Sequence, residues 1–216
     1  MVCFLGTEIG SFMKLKICLP VLFCIISLAM QVLPGRAEMP TARVRSMLEE
    51  VMILQTNPQL QGQEFRNQRR AAIKKIISQN FEFKAMARHA LGAYWDKLNE
   101  AERVEFKTLF QDLFQDSYTK LVLDFLKQEK ILYLQEELHQ DQALVKTSIV
   151  RVNEEIPVDY SLTLAQGKWT VEDVIIDGVS IIRNYQRSFS QVIQRESYRS
   201  LLQKMRLQQQ AIEKPS

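Results

Sequence analysis

Residues 38–216 contain no cysteine, because the three cysteines of this 216-residue chain are Cys3, Cys18 and Cys24. If the first segment is removed, the rest of the chain can form neither a disulfide nor a thiolate metal site. A buried core must then stabilise it. The remaining length is sufficient for one domain with such a core.

Histidine and glycine are also scarce. The two histidines, His89 and His139, show no HExxH or paired metal-ligand spacing. The few glycines form no phosphate-binding loop, dinucleotide fingerprint or G-x-S-x-G turn. We therefore expect no metal site, no cofactor and no nucleotide chemistry.

A large excess of charge of one sign is missing as well. The full chain has 28 Lys and Arg against 25 Asp and Glu, and removal of the first 37 residues leaves 25 against 24. A nearly neutral chain creates no overall field that would attract nucleic acid. We therefore expect no nucleic-acid partner.

The only long apolar run lies at the N-terminus, where residues 1–37 have the pattern of a secretory signal peptide. Two lysines lie within three residues after Met13, the run Ile17–Leu33 is mainly apolar, and small residues precede a cleavage point near Ala37. The residues before Met13 hold no positive charge, which makes Met13 a candidate for the true start. We expect cleavage and export from the cytoplasm, with an uncleaved membrane anchor as the alternative.

Helical periodicity extends over about residues 40–128. A first helix is predicted over Thr41–Gln55, and it ends before Asn57-Pro58 because the residue before proline avoids the helical region. A second helix is predicted from about Gln59 to Ser78.

The strongest helical signal begins at Asn99. With Glu102, this residue has the spacing of a capping box, and apolar residues then repeat every three or four positions up to about Lys127. The second helix has a different feature, a strongly basic face formed by Arg66, Arg69, Arg70, Lys74 and Lys75. Such a face is either simply solvated or a docking surface for anionic headgroups or an acidic partner.

Strand-like alternation occupies residues 131–176. The four segments are Ile131–Leu138, Gln142–Val152, Ile156–Ala165 and Lys168–Ile176. Short turns join them, which indicates a four-stranded antiparallel sheet with one apolar face. Further helices are predicted over about residues 179–210. The predicted fold class is therefore α+β, with the sheet packed against a multi-helix subdomain in one domain, residues 38–216.

Two carboxylates on the sheet are candidates for chemistry. Strand parity places Asp173 on the face of Trp169 and Val171, and a carboxylate that faces an apolar cavity can act as a general base. Asp159 is a second candidate. Hydrogen bonding to nearby backbone or to an arginine is the alternative for both, and on that interpretation the protein has no catalytic residue and is not an enzyme.

The abundant aromatic residues are compatible with two kinds of interior. Their periodicity directs them inward, yet a packed core and an apolar lipid pocket use the same residue types.

Several stretches resemble the MlaC family, also called toluene-tolerance proteins, and they occur in the family's order between about Pro40 and Val192. The matching stretches are Phe81–Ala87 for F-D-F-x-x-M-A, Leu91–Trp95 for L-G-x-Y-W, then Val158–Tyr160, Gly167–Trp169 and Asp177–Ser180. The resemblance implies a periplasmic phospholipid carrier with an apolar pocket between helices and sheet. The cargo would be a glycerophospholipid, and the carrier would break no covalent bond in it.

The resemblance also implies partners. The carrier, as a monomer, would pass lipid between an outer-membrane lipoprotein–porin complex and an inner-membrane lipid ABC transporter complex with its substrate-binding ring, and so maintain outer-membrane lipid asymmetry. From inward parity and the resemblance together, the predicted pocket residues are Phe83, Met86, Phe110, Phe114, Tyr118, Tyr160, Val174, Ile176, Tyr185 and Phe189.

Two alternatives remain at this point. One is a small exported enzyme with a carboxylate base on a similar curved sheet. The other is a periplasmic interaction module whose interior is only a core. A carboxylate on the inner wall of a cavity would favour the enzyme, and an interior without room for acyl chains would favour the module.

Overall fold

A computed structural model describes residues 38–213 of the chain. The α-helices are α1 (Pro40–Thr56), α2 (Arg66–Asn80), α3 (Phe83–Leu91), α4 (Glu100–Phe125), α5 (Ile181–Arg195) and α6 (Tyr198–Glu213). The strands are β1 (Lys130–His139), β2 (Gln142–Val150), β3 (Glu155–Ala165), β4 (Lys168–Ile176) and β5 (Val179–Ser180). Short 3₁₀ helices occupy Pro58–Leu60 and Gly92–Lys97. The α+β fold class is thus confirmed.

The break after α1 occurs where the proline predicts it, but α2 begins later than expected. Helix α1 ends at Thr56, and the chain then makes the 3₁₀ turn and a bend before α2 starts at Arg66 rather than near Gln59. In this bend Gly62 has a φ of +94°, a conformation that glycine adopts without a steric penalty. A helix cannot continue through it.

Helix α4 begins at the predicted capping box. The Asn99 side chain accepts a hydrogen bond from the Glu102 N–H at 3.0 Å, and the Glu102 carboxylate accepts one from the Asn99 N–H at 2.9 Å. The other end of α4 is closed by groups from elsewhere in the chain. The Gln55 amide donates to the carbonyl of Leu126, just after the helix, and to that of Val122, which also accepts from the Leu126 N–H.

The sheet is an antiparallel meander in the order β1-β2-β3-β4-β5. The sequence predicts its first four strands, and the structure adds β5, which pairs with the end of β4 through Ile175–Ser180 and Ile176–Val179. The turn Gln166-Gly167 has positive φ at both residues, 52° and 78°, as a two-residue hairpin turn of the I′ type requires.

A bulge in β4 reverses the alternation of its side chains. Ser161 pairs with Asp173 and Leu162 with Val171, so that Glu172 has no direct partner on β3. Beyond this extra residue, Asp173 no longer shares a face with Val171, and the parity assignment made from sequence is wrong at this position. Val174 takes the inward place instead and is 7% exposed.

The centre of the helical layer is aromatic. Phe106, Phe110 and Phe114 lie four residues apart along α4 and are at most 1% exposed, with successive ring centroids 6.1 and 6.0 Å apart. From α5, Tyr185 and Phe189 pack against Phe110 with their rings edge-on. Within residues 38–213, no helix combines the length and the hydropathy needed to cross a membrane.

Candidate functional site

An apolar cavity of about 340 Å³ lies between the sheet and helices α1, α2 and α4. Its helical wall comprises Met47, Leu48, Val51, Ile76, Ile77, Phe81, Tyr118, Leu121, Val122, Phe125 and Leu126. Its sheet wall comprises Ile149, Ile156, Val158, Tyr160, Val174 and Ile176, and Arg151 and Glu154 complete the lining. The volume falls in the lower part of the range of ligand pockets, about 300–1,000 Å³.

The cavity opens at the C-terminal end of α4. Along this helix the exposed fraction rises from 1% at Phe114 to 38% at Leu121 and 55% at Phe125. The charged residues Arg151 and Glu154 stand at the same end, on the turn between β2 and β3. We call this opening the mouth. An apolar interior with a charged rim suits a ligand that has an apolar body and a polar end.

Two tyrosines provide the polar groups deeper in the cavity, Tyr118 on α4 and Tyr160 on β3. Burial raises the pKa of the Tyr118 phenol, and electrostatic repulsion of its ionised form by Tyr185 and Asp173 raises the pKa further. Burial also raises the pKa of Tyr160. Both phenols are therefore neutral at physiological pH, and the inner walls carry no charge from them.

The structure places four of the ten predicted pocket residues on the cavity wall: Tyr118, Tyr160, Val174 and Ile176. The other six, Phe83, Met86, Phe110, Phe114, Tyr185 and Phe189, lie in the aromatic core beside the cavity. Phe114 connects the two groups, since its ring centroid is 4.1 Å from that of Tyr118 and 5.5 Å from that of Phe81. Contact of the six core residues with a ligand stays a prediction.

None of the other residues on the wall was named among the predicted pocket residues, although the sequence carries a signal for several of them. Met47, Leu48 and Val51 follow the apolar stripe of α1, and Ile156 and Val158 share a strand face with Tyr160. The period of 3.6 residues in α1 and of two residues in β3 is consistent with these inward positions. It did not indicate that the helices and the sheet leave a space between them.

The two candidate carboxylates lie away from this wall. Asp173 accepts hydrogen bonds from the Ser180 hydroxyl and, at 3.1 Å, from the Ile182 N–H at the start of α5. Asp159 stands opposite Lys146 on β2 and does not line the cavity. Of the described lining residues only Glu154, at the mouth, has a carboxyl group, and residues 38–213 contain no cluster of His, Asp and Glu able to hold a metal ion.

The basic face of α2 is largely paired within the molecule. Arg70 and Lys74 both contact the Asp116 carboxylate of α4, at 2.8 and 2.6 Å, and Arg66 contacts Asp124 at 2.9 Å. Much of this face is therefore an ion-pair network between two helices. Arg69 differs, because its guanidinium donates to backbone carbonyls.

Comparison with known proteins agrees with this architecture. A solved structure of a phospholipid-binding protein from Ralstonia solanacearum, in complex with a phospholipid, is similar with a TM-score of 0.70 and 19% identity, covering 82% of this chain and 100% of that chain. No curated protein matches the chain. The family described as MlaC protein matches residues 45–207, which confirms the resemblance seen in the sequence. The chain belongs to the MlaC protein family.

Proposed function

We propose that this protein is a carrier of glycerophospholipid whose acyl chains occupy the apolar cavity and whose headgroup lies at the mouth. The observation that carries this proposal is a cavity with apolar walls that opens beside charged residues at the C-terminal end of α4. Membership of the MlaC family and the similarity to a solved phospholipid-binding protein support it.

Acyl-chain burial provides the driving force for binding. Each methylene group removed from water contributes about 0.8 kcal/mol, so even part of one chain binds strongly. The cavity of about 340 Å³ is small for two long chains, and the neighbouring aromatic side chains would have to move outward to admit both. Release from such a site requires a partner that competes for the lipid.

The cellular role we propose is that of a monomeric shuttle in the periplasm, freed by signal-peptide cleavage near Ala37. It would exchange lipid with an inner-membrane ABC transporter complex and its substrate-binding ring on one side. On the other side it would meet an outer-membrane lipoprotein–porin complex. Movement of phospholipid between the two would maintain the lipid asymmetry of the outer membrane without any covalent step.

Lipid analysis of the purified protein tests the carrier function. We expect intact glycerophospholipid to be recovered by solvent extraction and mass spectrometry, and labelled phospholipid to be taken up from vesicles. In Val174→Trp, where a large ring fills the cavity, uptake should fall to background. Val104→Trp is the matched control, because Val104 is 55% exposed on α4 and should leave uptake unchanged.

Other results would contradict the proposal. No bound lipid and no uptake by the unmodified protein would rule out a carrier. Recovery of lysophospholipid and free fatty acid in place of intact lipid would favour the exported enzyme instead.

A further inference from the structure

A second cleft, of about 900 Å³ and lined mainly by polar and charged residues, adjoins the apolar cavity at the mouth. We call it the vestibule. Its charged lining consists of Arg69, Lys127, Lys130 and Arg151 together with Glu129 and Glu154. Arg151 and Glu154 line both the vestibule and the apolar cavity, so the two spaces meet at these side chains.

The vestibule has more positive than negative charge. Four basic residues face two acidic ones, whereas residues 38–216 as a whole are nearly neutral. Arg69 donates to the carbonyls of Leu60 and Gly62, which are neutral acceptors and leave its charge uncompensated. Among the described residues, no carboxylate lies within ion-pair distance of Arg69, Lys127 or Lys130.

Arg151 is held in position but only loosely paired. One of its terminal nitrogens donates to the carbonyl of Phe125 at 2.6 Å, which fixes the guanidinium at the end of α4. Its nearest carboxylate contacts are long, 3.5 Å to Glu129 and 4.0 Å to Glu154. The Arg151 Nε is buried and has no hydrogen-bond acceptor in the described part of the chain.

Glu129, the acid beside Arg151, has a lowered pKa. Burial alone would raise the pKa of Glu129, but backbone N–H donors of residues 127–129 and the Arg151 guanidinium outweigh it and lower the pKa. Glu129 therefore stays ionised and still leaves the vestibule with an excess of positive charge.

We propose that the vestibule is a binding site for the phosphodiester of the lipid, with Arg69, Lys127, Lys130 and Arg151 as its counter-charges. This inference rests on the proposed function, because acyl chains in the apolar cavity bring the phosphate to the place where the two spaces meet. Guanidinium groups suit this ligand, since their donors match the geometry of phosphate oxygens. The site makes the protein distinguish phospholipids from uncharged lipids with the same chains.

The experiment compares two ligands with identical acyl chains, phosphatidylglycerol and diacylglycerol, on the purified protein. The variant Lys127→Gln/Lys130→Gln removes two charges from exposed positions, so its folding should not suffer. Its affinity for phosphatidylglycerol should fall about tenfold, with diacylglycerol affinity unchanged. Lys75→Gln/Lys120→Gln is the matched control, since it removes two exposed lysines outside the vestibule and should alter neither affinity.

A salt series and a soluble ligand complete the test. The preference for phosphatidylglycerol should weaken as ionic strength rises, because salt screens exposed charges.

Equal binding of both lipids, or an equal loss of affinity for both in the lysine variant, would overturn the phosphate site and leave the carrier function intact. Failure of both lipids to bind would overturn the carrier function itself. Equally tight binding of glycerol 3-phosphate would show a site for free phosphates and would overturn the lipid assignment.

Discussion

At the scale of single residues, Asp116 is notable as a fully buried carboxylate that needs compensation for its charge. Its side chain is 0% exposed on α4, and one carboxylate oxygen accepts a hydrogen bond from Arg70 of α2 and forms an ion pair with Lys74 of the same helix at 2.6 Å. The other oxygen has no hydrogen-bond partner in the described part of the chain. A buried carboxylate is tolerated only with such compensation, so this contact decides how α2 lies against α4.

Asp116→Asn should destabilise the protein by about 2 kcal/mol, because two partly buried cations then lack their counter-charge. The value lies below that for a fully buried pair, since Arg70 and Lys74 are 27% and 32% exposed and water screens part of the interaction. Urea denaturation measures the change.

The matched control is Glu105→Gln. Glu105 pairs with Arg206 at the surface, with both side chains about half exposed, and its loss should cost less than about 1 kcal/mol. If Asp116→Asn and the unmodified protein unfold at the same urea concentration, the contact of Asp116 with Arg70 and Lys74 contributes nothing to stability.

At the scale of elements, the start of α5 explains what Asp173 does. The Ser180 hydroxyl accepts from the Arg183 N–H at 3.1 Å and donates to Asp173, which itself accepts from the Ile182 N–H. The two residues together satisfy the first N–H groups of the helix. The bulge at Glu172 is what turns Asp173 toward α5 and away from the cavity.

Asp173→Ala should therefore lower the free energy of unfolding by about 1–2 kcal/mol, the usual cost of a lost helix cap. Phospholipid uptake measured below the unfolding transition should be unchanged, since Asp173 does not line the cavity. Asp159→Ala provides the comparison. Asp159 caps no helix, so its substitution should lower the free energy of unfolding by less. A stable Asp173→Ala protein that had lost phospholipid uptake would mean that Asp173 takes part in lipid binding and does not only cap α5.

The sequence predicts the main helices and strands, but not their local irregularities or the space between them. Periodicity and the capping box at Asn99 predicted α4 and the four main strands, because these signals are local. The bulge at Glu172 and the late start of α2 each depend on a local backbone irregularity, which a strict period of two or of 3.6 residues does not include. Phe110 and Val174 were both predicted to contact the ligand, and this stays a prediction. Val174 lies on the wall of the cavity and Phe110 in the core beside it, a difference that depends on the spacing of the helices and the sheet and not on the periodicity of either residue.

At the scale of the whole molecule, α4 divides the interior into two functional halves. Its N-terminal half packs Phe106 and Phe110 into an aromatic core with rings from α5 and α6 and with Trp95. Its C-terminal half exposes Leu121 and Phe125 to the cavity and the mouth. The packed half stabilises the fold without ligand, and on the proposed function an apolar ligand would fill the open half and stabilise it.

Lipid loading should accordingly stabilise the whole domain by mass action. A ligand that binds only the folded state adds RT ln(1 + [L]/Kd), which is about 2.7 kcal/mol at a hundredfold excess over Kd. Delipidated protein should therefore unfold at lower urea than the same protein reloaded with phosphatidylglycerol. Val174→Trp should show no difference between the two preparations, and Val104→Trp should behave as the unmodified protein does. A stabilisation of equal size in Val174→Trp would mean that the lipid binds outside the cavity.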